Sequence, residues 1–440
     1  MNFNLGKKIY TAGLEKKFNV LILGIFLNLA LLSYFKYANF FIENINYIFS
    51  YYNLQTIENL KIILPIGISF FTFTQIAYLI DSYYDRSKYY TFKNYLLFVT
   101  YFPHLVAGPI IHHKQVMPQF KDKETFTLNL KKITVGLIIF IIGLSKKVLI
   151  ADTVGLYVDK FYQNIDINFN PDLFLSWVGS LSYTIQLYFD FSGYSDMAIG
   201  LSLLFGVFLP FNFNSPFKSL SIIDFWQRWH MSLTKFISQY LFNPLSLRLI
   251  RFSMGKTILI ENIFSMVVPI FITFFLIGIW HGASWTFALY GIIHAIFMVI
   301  NHIWKDRNFL LYIDRYYLIK KSYWLLTFSC VIFSFVMFRA ENVSDSIIIY
   351  KGMVGLNGID FIFPNIKLSI ILVFCMLIIL KTNSTYEIVN RFFDTKKLKN
   401  INYKNKINKE INLYSIIAGV LLTLCLLQLG TPSTFLYYQF

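Results

Sequence analysis

The chain has 440 residues, of which 56% are hydrophobic, 19% aromatic and 14% charged. Soluble domains run at about 45–50% apolar and about 25% charged residues, so one water-exposed globule cannot bury this much apolar surface. Its 48 Phe and 30 Tyr exclude disorder, and the remaining class is a polytopic membrane protein.

The apolar residues come in blocks: 19–38, 61–80, 93–111, 133–151, 173–191, 258–280, 284–304, 322–338, 367–380 and 412–429. About 20 such residues cross a hydrocarbon core. Lipid offers the backbone no hydrogen-bond partner, so these blocks read as helices, and the fold class is an all-α polytopic membrane protein. Block 367–380 is short and leans on its flanks. Lys7, Lys8, Lys16 and Lys17 precede the first block and no small-residue cleavage site follows, which reads as a retained signal anchor. Residues 381–411 are the most polar segment, expected as a loop partly helical along the membrane surface. The whole of 1–440 reads as one membrane-embedded domain, with a core over 61–304 and C-terminal helices over 305–440.

The net charge of +16 asks for an anionic counterpart. Lys and Arg gather in 1–17, 114–132, 218–256, 305–321 and 381–409, whereas 40–60, 152–172 and 340–366 carry Glu43, Asp159, Asp166, Asp172, Glu341 and Asp345. That alternation is the positive-inside pattern, with a cytoplasmic N-terminus. No soluble basic element exists to hold nucleic acid. Residues 81–93 and 114–132 are both basic, so 93–111 is expected to enter and leave one side, broken at Pro103 and Gly108-Pro109. The stretch 195–209, between Gly193 and Pro210, poses the same problem. Two re-entrant elements imply an internal cavity, beside about eight full crossings.

Polar groups inside such a body are functional candidates. Asp190 sits near the end of a span. Ser192-Gly193-Tyr194-Ser195 is expected to break the helix, with Ser195 or Asp196 capping the next one. Asp190 and Asp196 then hold the broken backbone, or act directly in catalysis. Asp224-Phe225-Trp226-Gln227-Arg228-Trp229-His230 has the mix of an interfacial amphipathic helix. Asp224 and Arg228, four apart, can pair; alternatively Arg228 and Lys235 meet phosphates of a cytoplasmic cofactor.

In Gly278-Ile279-Trp280-His281-Gly282-Ala283-Ser284-Trp285, His281 follows about 20 apolar residues. It stands between two Trp, with Gly282 letting other groups approach. A neutral imidazole can take a proton from a hydroxyl and return it to a leaving thiol. His294 lies about 220° further round an ideal helix and, with His302, reads as packing. His104, His112 and His113 hint at metal. Adjacent His112 and His113 point apart on a helix, however, and no neighbouring carboxylate joins them, so no metal site is expected. Cys330, Cys375 and Cys425 sit in apolar spans as packing residues.

Four blocks resemble the membrane-bound O-acyltransferase (MBOAT) family, in its alginate O-acetylase-like bacterial branch. They are Ala107-Gly108-Pro109-Ile110 with Met117-Pro118-Gln119; Tyr188 through Gly200 (YFDFSGYSDMAIG); Asp224-Phe225-Trp226 through Arg228-Trp229-His230-Met231-Ser232-Leu233; and Gly278 through Ala283. Phe338-Arg339-Ala340 and the terminal Tyr437-Tyr438-Gln439-Phe440 are weaker matches. The departures are Ser238-Gln239-Tyr240, where the family carries a basic-acidic-aromatic triplet, and Ser246-Leu247, where it carries a glycine pair. Relatives also tend to begin with extra membrane helices, so the chain resembles a shortened form.

The resemblance implies a ring of helices around a membrane-embedded funnel, and an O-acyltransferase of the inner membrane. Acetyl-CoA is the implied acyl donor, with no bound cofactor. The acceptor is a hydroxyl of an extracytoplasmic polysaccharide, alginate-type or peptidoglycan, reached through a periplasmic acyltransferase partner. His281 matches the family's essential histidine and His230 its second polar position. Arg228, Trp229, Lys235, Trp280, Asp190 and Asp196 are candidate donor- or acceptor-binding residues. Heavy use of Asn, Ile, Lys and Phe suggests an AT-rich genome and leans toward peptidoglycan. D-alanyl transfer to teichoic acid, a transporter without chemistry and an assembly subunit are the competing readings.

Overall fold

A lipid-embedded backbone must close its hydrogen bonds internally, and every regular element among the described residues is a helix. The computed structural model describes residues 1–84, 90–105, 108–165, 169–306, 317–360, 365–394, 396–430 and 435–436. Ala107, Asp166, Tyr437-Tyr438-Gln439-Phe440 and most of the 305–321 loop lie outside them. Among the described residues, seven helical stretches are long and apolar enough to cross a membrane: Glu15–Tyr51, Leu130–Gln163, Ile258–His281, Trp285–Trp304, Tyr317–Arg339, Ile366–Phe392 and Ile401–Gln428.

Leu173–Leu204 is the buried axis of this body. Its 32 residues run about 48 Å at 1.5 Å per residue, enough to cross. The helix is continuous through Ser192 to Ser195, against the expected break and against a separate re-entrant element over 195–209. The signal that misled is the glycine. A Cβ on Gly193 would come 2.7 Å from the carbonyl oxygen of Gly143, and one on Gly200 would come 2.6 Å from that of Gly136. The two glycine pairs, seven residues apart on each helix, let Leu130–Ser145 and Leu173–Leu204 cross antiparallel at backbone contact, the small-residue packing membranes favour.

The 93–111 region is broken as expected. Phe92–Thr100 ends at Tyr101, a short turn covers Phe102–His104, and a four-residue helix begins at His113. The 381–411 segment divides into a helix at Thr385–Phe392, opened by a Ser384/Glu387 capping box, and the start of Ile401–Gln428.

Three of the basic loops, 114–132, 218–256 and 381–409, meet at one end. There Lys131 Nζ donates to Phe392 O (2.5 Å), Lys132 Nζ to Gly206 O (2.9 Å) and Lys218 Nζ to Thr382 O (2.8 Å). At the other end Arg339 pairs with Asp159 (2.9 Å), and Leu173 N donates to Gly358 O (3.0 Å). Among the described residues, four π-turns interrupt the helices, at Ser33–Tyr37, Lys146–Ala151, Ser238–Phe242 and Ile263–Val267. Such turns add one residue to the helical circuit and recur at functional sites. Three of the four carry the polar side chains described next.

Candidate active site

His281 is the last residue of the helix Val268–His281; Gly282 leaves in an extended conformation and the chain re-enters a helix at Trp285. The two helices touch closely, since a Cβ on Gly278 would stand 2.3 Å from Phe287 O and one on Gly291 2.2 Å from Phe274 O. Gly282 is covered by the Phe287 ring, which a Cβ would overlap at 2.1 Å. His281 is therefore buried within the body, with its ring centroid 4.9 Å from that of Trp280, 5.1 Å from Phe338 and 6.1 Å from Tyr290.

His230 reaches the same cluster from another direction. It joins two seven-residue helices, Ile222–Arg228 and Met231–Ile237, in a left-handed conformation with φ +46°. For an L-residue this conformation costs about 1–2 kcal/mol. Tertiary contacts hold it: Met231 N donates to Asn212 O (2.9 Å) and Asn214 N to Arg228 O (3.0 Å). Ser232 Oγ donates to Asn212 Oδ1 (2.5 Å) and accepts from Ile110 N (2.9 Å), tying the Gly108-Pro109 turn to the same loop. The fully buried His230 ring lies 4.8 Å from Phe191, 6.5 Å from Phe70 and 6.3 Å from Trp280. Trp280 thus packs against both histidines.

Two expectations change here. The segment 224–230 is not laid on the membrane surface: Phe225, Trp226, Trp229 and His230 are buried, because the loop 212–219 and helices Trp285–Asp306 and Tyr317–Arg339 cover them. His294 and His281 do share a neighbourhood, because the chain turns back at Gly282. Tyr290 lies 4.7 Å from the His294 ring, and Trp226 Nε1 donates to His294 Nδ1 (3.2 Å).

The remaining candidates are distributed. Trp229 packs among Phe213, Phe225 and Phe335. Arg228 pairs with Asp224 (2.7 Å), both half-buried, and Lys235 is exposed. Asp190 and Asp196 meet lysines of the Lys146–Ala151 π-turn. Lys147 Nζ lies 2.7 Å from Asp190 Oδ1 and 2.7 Å from Asp152 Oδ1, and Lys146 Nζ lies 2.6 Å from Asp196 Oδ2. Thr385 Oγ1 and Leu436 N complete the two carboxylates, at 2.6 Å and 3.2 Å. A buried carboxylate persists only when paired and hydrogen-bonded, and these are.

His112 and His113 do converge on a carboxylate, supplied from 31 or more positions away. Asp81 Oδ2 stands 2.8 Å from His112 Nε2, 2.7 Å from His113 Nε2 and 2.9 Å from Tyr240 Oη. Two imidazoles and a carboxylate are a metal-ligand set in kind. The tautomer argues otherwise. His112 Nδ1 accepts the backbone N–H of Lys114 (3.1 Å), so the neutral ring carries its proton on Nε2, the atom a metal would need bare. The Lys114 ammonium, 3.7 Å from Asp81 Oδ1, adds repulsion. The geometry is that of a hydrogen-bonded clasp joining the helix Ile68–Tyr84, the 108–116 turn and the Ser238–Phe242 π-turn.

A cavity of about 750 Å³ opens at the acid-bearing end, two residues beyond His281, lined by Glu43, Asn44, Tyr47, Ser284, Trp285 and Glu341 among others. Trp285 Nε1 donates to Asn44 Oδ1 (2.9 Å) on its wall.

Sequence reading missed Lys36 and Tyr37. Both sit in the first apolar block, where an ionisable residue is itself the signal. Lys36 Nζ donates to Trp280 O (2.5 Å) and His281 O (3.1 Å), and Tyr37 Oη to Ile279 O (3.0 Å).

Fold and site together define a polytopic helical membrane protein with His281 buried at a helix end and His230 and His294 in the aromatic cluster around it. The chain belongs to the membrane-bound O-acyltransferase (MBOAT) family, whose sequence pattern matches residues 20–339. It is 40% identical over 368 residues to the peptidoglycan O-acetyltransferase of Helicobacter pylori, covering 77% of this chain and 65% of that protein. Identity to the probable alginate O-acetylase of Pseudomonas putida is 37% over 356 residues, covering 80% and 68%. The teichoic acid D-alanyltransferase of Bacillus subtilis is 28% identical over 284 residues, covering 63% and 69%. The chain thus spans about two thirds of the length of these relatives.

Proposed function

We propose that the protein is a membrane O-acyltransferase. It moves an acetyl group from cytoplasmic acetyl-CoA toward hydroxyls of an extracytoplasmic polysaccharide, with 61–304 as its catalytic core. The observation that carries this reading is His281, buried at a broken helix end in the same aromatic cluster as His230 and two residues from the cavity at the acid-bearing end. In the direct form of the reaction, His281 accepts the proton of the attacking hydroxyl. The hydroxyl oxygen bonds to the thioester carbonyl carbon, the carbon–sulfur bond breaks, and the imidazolium returns its proton to the departing thiolate. His230 and Trp280 orient the reacting groups. Arg228, Trp229 and Lys235, at the basic end, serve the donor, and Asp190 and Asp196 act through the frame that holds Phe191 against His230.

The cavity beside Ser284 and Trp285 supplies the acceptor side. A periplasmic acyltransferase accepting the group there would relay it to the glycan, and the higher identity to the peptidoglycan enzyme favours peptidoglycan over alginate. The alternation of basic and acidic ends supports an inner-membrane protein with a cytoplasmic N-terminus. The test uses the protein in sealed vesicles given labelled acetyl-CoA on the basic face and peptidoglycan or alginate fragments on the other. Acetyl label on peptidoglycan, with or without a periplasmic partner, supports the reading. Label accepted only from a D-alanyl thioester, or solute flux without label transfer, overturns it.

A further inference from the structure

The end of a helix leaves its last carbonyls without partners inside the helix, and in lipid each unsatisfied group costs several kcal/mol. The helix bearing His281 meets this problem at the point where its final residue must be held still. Three successive carbonyls, those of Ile279, Trp280 and His281, are satisfied from one place, the Ser33–Tyr37 π-turn of the first span. The donor to two of them is the Lys36 side chain. Lys36 Nζ also lies 5.8 Å from the centroid of the Trp280 ring that packs on both histidines. A Lys in an otherwise apolar span is costly to keep.

We propose that Lys36 is a positioning residue for acyl transfer: its Nζ, fixed on the carbonyls of Trp280 and His281, sets the placement of the His281 imidazole. This rests on the assignment of His281 as the proton-transferring group. Lys36 touches backbone oxygens, not the reacting atoms. Its loss should therefore lower turnover with little effect on donor binding, since misplacement of about 1 Å can cost about 100-fold.

The experiment measures kcat and KM for acetyl-CoA, with melting temperature in detergent, for the full chain and for Lys36→Met, Lys36→Arg, Tyr37→Phe and His281→Ala. The expected result is a kcat loss of about 10–100-fold in Lys36→Met at nearly unchanged KM. Lys36→Arg, which keeps the donors, recovers most of the turnover, and Tyr37→Phe loses less than Lys36→Met. Should Lys36→Met fail to insert, recovery in Lys36→Arg and a kcat loss in Tyr37→Phe decide the matter alone. Wild-type kcat in Lys36→Met overturns the proposal, as does a loss that scales with the unfolded fraction in every variant. Full activity in His281→Ala is the separate outcome that removes the underlying assignment, whereas an inactive His281→Ala beside an active Lys36→Met removes only the role of Lys36.

Discussion

The ammonium of Lys147 bridges two carboxylates, standing 2.7 Å from Asp190 on the central helix and 2.7 Å from Asp152 on its own. Removing one member of such a buried pair leaves an uncompensated charge and typically costs about 3–5 kcal/mol. Asp190→Ala should therefore lower the detergent unfolding midpoint strongly, and a Lys147→Met, Asp190→Leu double variant should recover part of the loss. Unfolding curves check this. Activity should follow the folded fraction in these variants, because Asp190 is part of the frame.

The central helix crossing depends on absent side chains. A Cβ on Gly143 would stand 2.5 Å from Gly193 O, whereas one on Gly419 meets nothing within 4 Å. Gly143→Ala should destabilise by about 1–3 kcal/mol, the range for overpacking. Gly419→Ala should leave the midpoint unchanged or raised. The same unfolding assay reads both.

His230 combines a strained backbone with a buried ring, and substitution can separate them. His230→Gly relieves the left-handed conformation while removing the imidazole, so it should keep much of its thermal stability yet lose acyl transfer. His230→Val, which tolerates that conformation poorly, should lose both. Comparing melting temperature with transfer rate distinguishes a role of the ring from a role of the turn.

At the Asp81 clasp, the Lys114 N–H on His112 Nδ1 leaves Nε2 protonated. Purified protein should accordingly carry far less than one zinc per chain by elemental analysis, and Tyr240→Phe should weaken packing at the 108–116 turn. Stoichiometric zinc that is lost in Asp81→Asn would contradict the clasp.

Much of this was legible in the sequence. Blocks of apolar residues located the spans, two prolines and a glycine marked the 93–111 break, and the Asp224–Arg228 spacing announced its pair. His281 at a Gly-flanked helix end was legible because an imidazole at the end of an apolar run has little other reason to be there. The central helix was misread because Ser192-Gly193 is written the same way whether glycine breaks a helix or lets another backbone touch it. Partners distant in sequence, such as Asp81 for His112 and His113, Lys146 for Asp196, and Lys36 for the 279–281 carbonyls, carry no local signature. The π-turns that aim those lysines leave no trace in hydropathy.

The account depends most on His281. The direct measurement is the initial rate of acetyl transfer from labelled acetyl-CoA in vesicles, comparing the wild-type chain with His281→Ala at equal folded protein. Loss of about 10²–10⁴ in rate, the usual loss when a general base is removed, is the predicted result. An unchanged rate would contradict it.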